Sequence, residues 1–115
     1  MMRSCGMVVL AMTLVACASR SLPTARVGSV EAGVRAAREV GAENVPAAAL
    51  HLRIAQGELS RARTLVHDGE YEQAEWLLVR SEADAALAVA LAREANARRV
   101  ADESAARLRT ASTNH

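Results

Sequence analysis

Three histidines, His51, His67 and His115, are the side chains best suited to acid–base chemistry or metal binding. No His-Glu-x-x-His motif or other metal-ligand spacing connects them. The serines have no accompanying His and Asp that would complete a triad, and the sequence has no Gly-rich phosphate loop. We therefore expect no enzyme, no metal site and no soluble cofactor. His51 is expected on a helix surface, and His67 in the last turn of a helix, where a cation interacts favourably with the dipole.

The segment from Glu70 to Trp76 combines acids with the only two aromatic side chains, Tyr71 and Trp76. The acids Glu70, Glu72 and Glu75 either bind a cation or, as we favour, lie solvated in the first helical turns, where the dipole favours acids. Tyr71 and Trp76 are candidate interaction residues, since aromatics concentrate binding energy at interfaces. The alternative, which we favour, is that they fill the helical core near a turn.

An arginine-rich stretch near the carboxyl end is either a contact for anionic lipid or peptidoglycan carboxylates, or a solvated helix face. Its members are Arg93, Arg98, Arg99, Arg107 and Arg109. Acids four residues before two of them predict the pairs Glu94–Arg98 and Glu103–Arg107, which favour the solvated face. The formal net charge is only +1, so we expect no nucleic-acid partner.

The sequence before Cys17 has the features of a secretory leader. Arg3 gives a positive start, and the apolar run from Met7 to Val15 is long enough for a signal peptide but too short to span a bilayer. The run ends in Leu14-Val15-Ala16-Cys17. This segment resembles the lipobox of bacterial lipoproteins at all four positions, and residues 1–16 are therefore interpreted as a lipoprotein signal peptide.

The lipobox resemblance implies a lipid-anchored protein. The thiol of Cys17 would receive diacylglycerol, signal peptidase would cut between Ala16 and Cys17, and the new amino group would be acylated, for example with palmitate. Ala18 follows the cysteine, where Asp would resemble the signal for retention in the inner membrane, so we expect the outer membrane, facing the periplasm. Since Cys5 leaves with the leader, no disulfide is expected in the mature chain.

The composition predicts an all-α fold. The chain of 115 residues is long enough for one small domain, and Ala supplies much of its hydrophobic content. Gly and Pro number only 6 and 2, which argues against a turn-rich β fold. We predict a helical hairpin or a small three-helix antiparallel bundle with one long C-terminal helix, over residues 29–109.

The first predicted helix spans Val30 to Ala42, after a flexible tether over residues 17–28. Ser29 is its expected N-cap, and Gly41 its stop. Glu31 and Arg35 are expected to pair on its surface. One apolar stripe is predicted to face the core: Val27, Val30, Val34, Ala37 and Val40.

The second predicted helix spans Pro46 to His67, since Pro suits the first turn and Asp68-Gly69 marks a turn. Its predicted core stripe is Leu52, Ala55, Leu59, Ala62 and Val66, and its polar surface includes Glu58. Gly57 costs about 1 kcal/mol inside a helix, which close approach of a neighbouring helix would explain.

The third predicted helix runs from Glu70 to near Arg109, capped by Asp68 or Gly69 and followed by a disordered tail over residues 110–115. Its first stripe is Tyr71, Ala74, Leu78, Ala85, Ala88 and Ala92. A second stripe is Trp76, Val79, Ala83 and Leu87. Because both stripes are apolar, the first two helices are expected to pack on different faces of the third.

Several runs resemble a family of short periplasmic lipoproteins, defined by domain of unknown function 4398, whose members occur alone or ahead of OmpA-like domains. The similar runs are Leu52-x-x-Ala55, Leu59-x-x-Ala62, Gly69-Glu70-Tyr71-x-x-Ala74 and Ala83-Asp84-Ala85-x-Leu87-Ala88, within roughly residues 28–100. This resemblance implies a non-catalytic helical scaffold or interaction module of the cell envelope, contacting an envelope protein or peptidoglycan. No OmpA-like part is present in this sequence, so that domain's peptidoglycan binding is not expected of it.

Two other functions stay open. The residues Ala62, Gly69-Glu70-Tyr71, Ala74 and Leu78 resemble the turn of one tetratricopeptide repeat, which implies an adaptor for one protein partner. Ala86 stands where that repeat would end in Pro, and no 34-residue period follows. Self-assembly through the Ala-rich third helix is the other alternative, and the oligomeric state is not predicted.

Overall fold

The computed structural model describes residues 23–115, which fold into three α-helices and one short 3₁₀ turn. The helices are α1 (Pro23–Glu39), α2 (Pro46–His67) and α3 (Tyr71–Thr113), and the 3₁₀ turn spans Ala42–Asn44. No strand occurs within these residues. The expected all-α class with one long C-terminal helix is therefore confirmed.

Helix α1 begins at Pro23, earlier than the expected start at Val30. Proline suits a first helical turn because its missing N–H would have no helical partner there. Ser29, the expected N-cap, consequently lies inside the helix, and residues 23–28 of the expected tether belong to α1. The rest of the predicted tether, residues 17–22, lies outside the described part of the chain.

Gly41 ends the first helix as predicted, although the last helical residue is Glu39 and not Ala42. Gly41 has a φ of 81°, a left-handed conformation that costs glycine little. Its N–H donates a 2.9 Å hydrogen bond to the carbonyl of Arg38. Val45 is extended, as expected for a residue before proline, and α2 then begins at Pro46.

Helix α2 has the predicted bounds, and its end is a Schellman motif. Gly69 has a φ of 79°, and its N–H donates to the carbonyl of Val66. The N–H of Glu70 donates to the carbonyl of Leu65 at 2.9 Å. The expectation that Asp68 or Gly69 caps α3 was wrong, because both complete the end of α2 and Glu70 is the N-cap of α3.

The three helices run up, down and up around a core of small side chains. Gly33 of α1 lies beside Ala85 of α3, and the backbone carbonyl of Ala55 in α2 accepts a hydrogen bond from Ser81 of α3. Most of the buried apolar residues follow the predicted stripes: Val30, Val34, Ala37, Leu52, Ala55, Leu59, Ala62, Ala74, Leu78, Ala85, Ala88 and Ala92. Ala42 and Ala48 are buried as well, outside those stripes. Val66 is only half-buried, and Tyr71 is exposed.

Helix α3 extends well beyond the bundle. It ends at Thr113 rather than near Arg109, so most of the predicted tail at 110–115 is helical. At 1.5 Å per residue, its 43 residues span roughly 65 Å. Its last buried residue is Ala92, and every residue from 97 to 115 is exposed. Its final turns therefore have no neighbouring helix within residues 23–115.

Glycines show where the helices approach each other closely. A Cβ at Gly33 would lie 3.4 Å from the Cβ of Ala85, so α1 and α3 are in contact there. A Cβ at Gly57 would meet nothing within 4 Å. The expectation that a neighbouring helix explains Gly57 was therefore wrong, and the close contact involves Gly33 instead.

Candidate interaction surfaces

The aromatic side chains lie on the surface of α3. Trp76 is 67% exposed and Tyr71 is 57% exposed, so the expectation that they fill the core was wrong. The physical reason is that the inner residues of α3 are small, and most of them are Ala. The three helices therefore lie so close together that an indole ring does not fit between them. Both side chains are therefore placed where a partner can reach them.

The second predicted stripe of α3 is also exposed: Trp76, Val79, Ala83 and Leu87. Helices α1 and α2 both pack around the other stripe, which contains Leu78 and Ala85. The expectation that the two apolar stripes are each covered by one helix was therefore wrong. The result is a continuous apolar face of α3 that no other helix of residues 23–115 covers.

Helix α1 is held to α3 by charged contacts. The Arg26 guanidinium donates to Glu75 at 2.6 Å and to Glu82 at 2.8 Å. The hydrogen bond that Arg26 donates to Glu75, with the nearby charges of both carboxylates, raises the pKa of Arg26 above its ordinary value. The hydroxyl of Ser29 donates to the other oxygen of Glu82 at 3.1 Å. These long-range contacts explain why α1 begins before Ser29.

Polar side chains also link α2 to α3. His51 Nδ1 lies 2.8 Å from Asp84 Oδ1, and both side chains are largely buried. The expected place of His51 on a helix surface was therefore only partly right, because its ring faces α3. Glu58, expected on the polar surface, is buried and contacts Arg80 at 3.1 Å.

Two further contacts join α1 to α2 and to α3. Arg63 of α2 pairs with Glu31, so the expected pairing of Glu31 with Arg35 was wrong. Asn96 donates from its side-chain amide to the carbonyl of Val40, at the end of α1, at 3.0 Å. These contacts hold α1 at its middle, through Glu31, and just after its last turn, through Val40.

The acids near the start of α3 do not form a common site. Glu75 is bound to Arg26, and Glu70 accepts a 3.5 Å hydrogen bond from Gln73. Glu72 is exposed in the first turn. Within residues 23–115, no group of three or more His, Cys, Asp or Glu side chains is arranged to hold a metal ion. His67 is exposed and lies 3.2 Å from Asp68, at the end of α2.

The arginines of the last part of α3 form pairs along the helix. The predicted pair Glu94–Arg98 is present, and Arg99 pairs with Glu103 at 3.1 Å. The predicted pair Glu103–Arg107 was therefore wrong. An open groove lies where the start of α2 meets this part of α3. It is lined by Val45, Ala47, Leu91, Ala95 and both charged pairs.

The sequence-predicted lipidation site lies outside the described residues. This applies to Cys17, to the cleavage position at Ala16, and to the whole predicted signal peptide over residues 1–16. No helix among residues 23–115 has the length and apolar character needed to cross a bilayer.

Sequence reasoning missed the buried hydroxyl of Ser81, which donates a 2.6 Å hydrogen bond to the carbonyl of Ala55. A signal for it was present, because Ser81 falls between Leu78 and Ala85 on the predicted core stripe of α3. A small polar residue on an apolar stripe indicates a satisfied buried group. The interhelical role of Arg26 left no comparable signal.

Together these features define an all-α module in which two shorter helices pack on one side of a long one. The chain belongs to the family described as Domain of unknown function (DUF4398), whose model matches residues 25–112. The match begins within α1 and ends at the last turn of α3, so it covers the whole described bundle. No curated protein and no solved structure matches the chain.

Proposed function

We propose that this chain is a bacterial lipoprotein, anchored through lipid on Cys17, whose helical module contacts other envelope components without catalysing a reaction. The anchor is supported by the sequence Leu14-Val15-Ala16-Cys17, which follows a positive start and an apolar run. Two or more acyl chains hold a protein stably at a bilayer. Ala18 after the cysteine favours the outer membrane, facing the periplasm.

The exposed apolar face of α3 is the observation that most strongly supports the interaction role. Trp76 and Leu87 are 67% and 42% exposed on it, although the chain has only one Trp. Large apolar side chains gathered on one surface favour contact with a partner. His51 and Asp84, which are partly buried, are bound to each other across α2 and α3.

The anchor is tested by intact mass spectrometry of the tagged chain purified from cells. We expect the wild type to begin at Cys17 and to carry a diacylglyceryl group and an acyl chain. Cys17→Ser should lose both lipids, whereas Cys5→Ser, changed within the leader, should carry them like the wild type. A wild type without lipid would overturn the anchor.

The interaction role is tested by crosslinking in cells, followed by identification of the crosslinked species. We expect specific crosslinks that Leu87→Asp removes and that Leu50→Asp leaves intact. Leu50 is a suitable control because it is 48% exposed, like Leu87, but lies on α2. Crosslinks to protein, to peptidoglycan or to a second copy identify the envelope component. Loss of crosslinks in both variants would argue against the α3 face.

A tetratricopeptide-like adaptor is the alternative function, and one observation favours it. Ala62 and Ala74, which would permit the close helix approach of such a repeat, are both fully buried in the α2–α3 hairpin. This alternative predicts one stoichiometric protein partner that contacts the hairpin. Crosslinks that map only to the α2–α3 turn, and not to Leu87, would favour the adaptor over a scaffold.

A further inference from the structure

The exposed face of α3 continues along the whole helix with a seven-residue period. Starting at Trp76, exposed residues recur at alternating spacings of four and three. We name this set the outer stripe: Trp76, Arg80, Ala83, Leu87, Ala90, Glu94, Ala97, Ala101, Ser104, Leu108 and Ala111. Positions with this alternation lie along one side of an α-helix, the side through which two helices contact each other in a coiled coil.

The outer stripe lies opposite the residues that α1 and α2 cover. The buried residues of α3 include Leu78, Ala85 and Ala92, whereas every member of the outer stripe is exposed. A second helix therefore has access to the stripe without displacing α1 or α2, and Arg80 is the member of the stripe that also contacts α2, through Glu58. The stripe also runs into the final turns of α3, where a lone helix in water gains little stability of its own.

We propose that the outer stripe binds a second copy of this chain, with the two α3 helices antiparallel. This inference gives the interaction module of the proposed function a partner, and it does not depend on the lipid anchor. The main argument is the fit of large and small residues. Consider an antiparallel pair whose centre lies between Leu87 and Ala90. Leu87 of each copy then faces Ala90 of the other copy.

The neighbouring positions in this register fit in the same way. Trp76 lies opposite Ala101 of the second copy, and Arg80 lies opposite Ala97. The next pair outward from the centre places Glu94 opposite Ala83. Each of these four layers thus combines one large side chain with one alanine, which allows close packing. A parallel pair would instead place Arg80 against Arg80 and Glu94 against Glu94, which is unfavourable.

Charges beside the outer stripe agree with the antiparallel arrangement. Glu72 and Arg107 are separated by 35 residues, five periods of seven, so they lie along the same side of the stripe. In the proposed register, Glu72 of each copy faces Arg107 of the other. Neither side chain forms an ion pair within residues 23–115. Val79 and Val100, on the same side, also face each other between copies.

Sedimentation of the full chain carrying Cys5→Ser and Cys17→Ser, which has neither thiol nor lipid, tests the association. We expect a dimer that dissociates on dilution. Leu87→Asp should weaken dimerisation at least tenfold, and Leu50→Asp on α2 should leave it unchanged. Urea unfolding of each variant at a monomeric concentration checks that the bundle remains folded. A Cys5→Ser/Cys17→Ser chain that is monomeric at millimolar concentration overturns the inference.

Single cysteines in the same background test the direction of the helices. Val79 and Val100 are 21 residues apart, roughly 31 Å along α3. A short bis-maleimide should link Val79→Cys chains to Val100→Cys chains in a mixture, and neither variant to itself. Self-crosslinking of each variant indicates parallel helices and overturns the arrangement, as does the lack of any crosslink. Both results are independent of the lipid measurement, which decides the anchor separately.

Discussion

The hydroxyl of Ser81 donates a 2.6 Å hydrogen bond to the backbone carbonyl of Ala55, across the contact of α3 with α2. Ser81 is fully buried, in a line of alanines. We predict that Ser81→Ala lowers the free energy of unfolding by about 1 kcal/mol, the typical net value of one hydrogen bond. Ser81→Leu should cost more, about 1–3 kcal/mol, because the closely packed helices must move apart.

Urea unfolding followed by circular dichroism measures both Ser81 variants. The matched control is Ser104→Ala, since the hydroxyl of Ser104 donates only to Val100 of its own helix and is exposed. We expect the control to unfold like the wild type. A Ser81→Leu chain as stable as the wild type would contradict the tight packing of α2 against α3.

Two glycines give opposite predictions for the same change to alanine. A Cβ at Gly57 meets no atom within 4 Å, so Gly57→Ala should stabilise α2 by up to about 1 kcal/mol. Gly69 has a φ of 79°, where alanine is strained, so Gly69→Ala should destabilise by about 1–2 kcal/mol. Thermal unfolding of both variants checks the signs, and equal shifts in one direction would be inconsistent with the Schellman motif at Gly69.

The bounds of α2 could be predicted because local chemistry sets both of them. Pro46 fits a first turn, and Gly69 can adopt the left-handed conformation that ends a helix. The start of α1 could not be predicted in this way. Arg26 gains its partners, Glu75 and Glu82, only when α1 packs on α3, and such long-range contacts leave no periodic signal in the sequence.

The place of Trp76 was predicted wrongly for a related reason. Its spacing indicated an apolar stripe, but periodicity does not say whether a neighbour covers that stripe. The core formed instead from smaller side chains, with Leu52, Leu59 and Leu78 as the largest of its well-buried members. A single indole is too large for the narrow space between helices that meet at alanines. The apolar stripe that contains Trp76 could thus be predicted from the sequence, but its exposure could not.

The His51–Asp84 contact predicts coupling between α2 and α3. We expect His51→Ala and Asp84→Ala each to cost about 1 kcal/mol, and the double variant to cost less than their sum. The reason is that both changes remove the same 2.8 Å contact. A double-mutant cycle on the exposed pair Glu94–Arg98 serves as the comparison and should give a coupling of only about 0.3–0.5 kcal/mol. Strict additivity at His51 and Asp84 would argue against their contact in solution.

The buried carboxylate of Glu58 predicts an asymmetric response to mutation. One of its oxygens contacts Arg80, and the other is buried without a hydrogen-bond partner in the described structure. Arg80→Ala should therefore destabilise the fold by about 1–3 kcal/mol, since it leaves a buried carboxylate unpaired. Adding Glu58→Leu should recover most of this loss, because an apolar pair of groups avoids the desolvation cost. Urea midpoints of the two variants and the wild type decide this, and failure of Glu58→Leu to recover stability would contradict the buried position of Glu58.

We predict different rates of amide hydrogen exchange for the part of α3 inside the bundle and for its C-terminal part. Residues 74–92 include the buried residues of α3 that pack against α1 and α2, whereas every residue from 97 to 113 is exposed. In the dilute Cys5→Ser/Cys17→Ser chain, the amides of 97–113 should exchange close to the rate of an unprotected helix, while those of 74–92 should be protected. Raising the protein concentration should slow exchange around Ala97 and Ala101, because those alanines then face Arg80 and Trp76 of a second copy. Leu87→Asp should abolish this concentration dependence. If the amides of residues 97–113 are already fully protected in the monomer, the helical structure of this segment does not depend on a second copy.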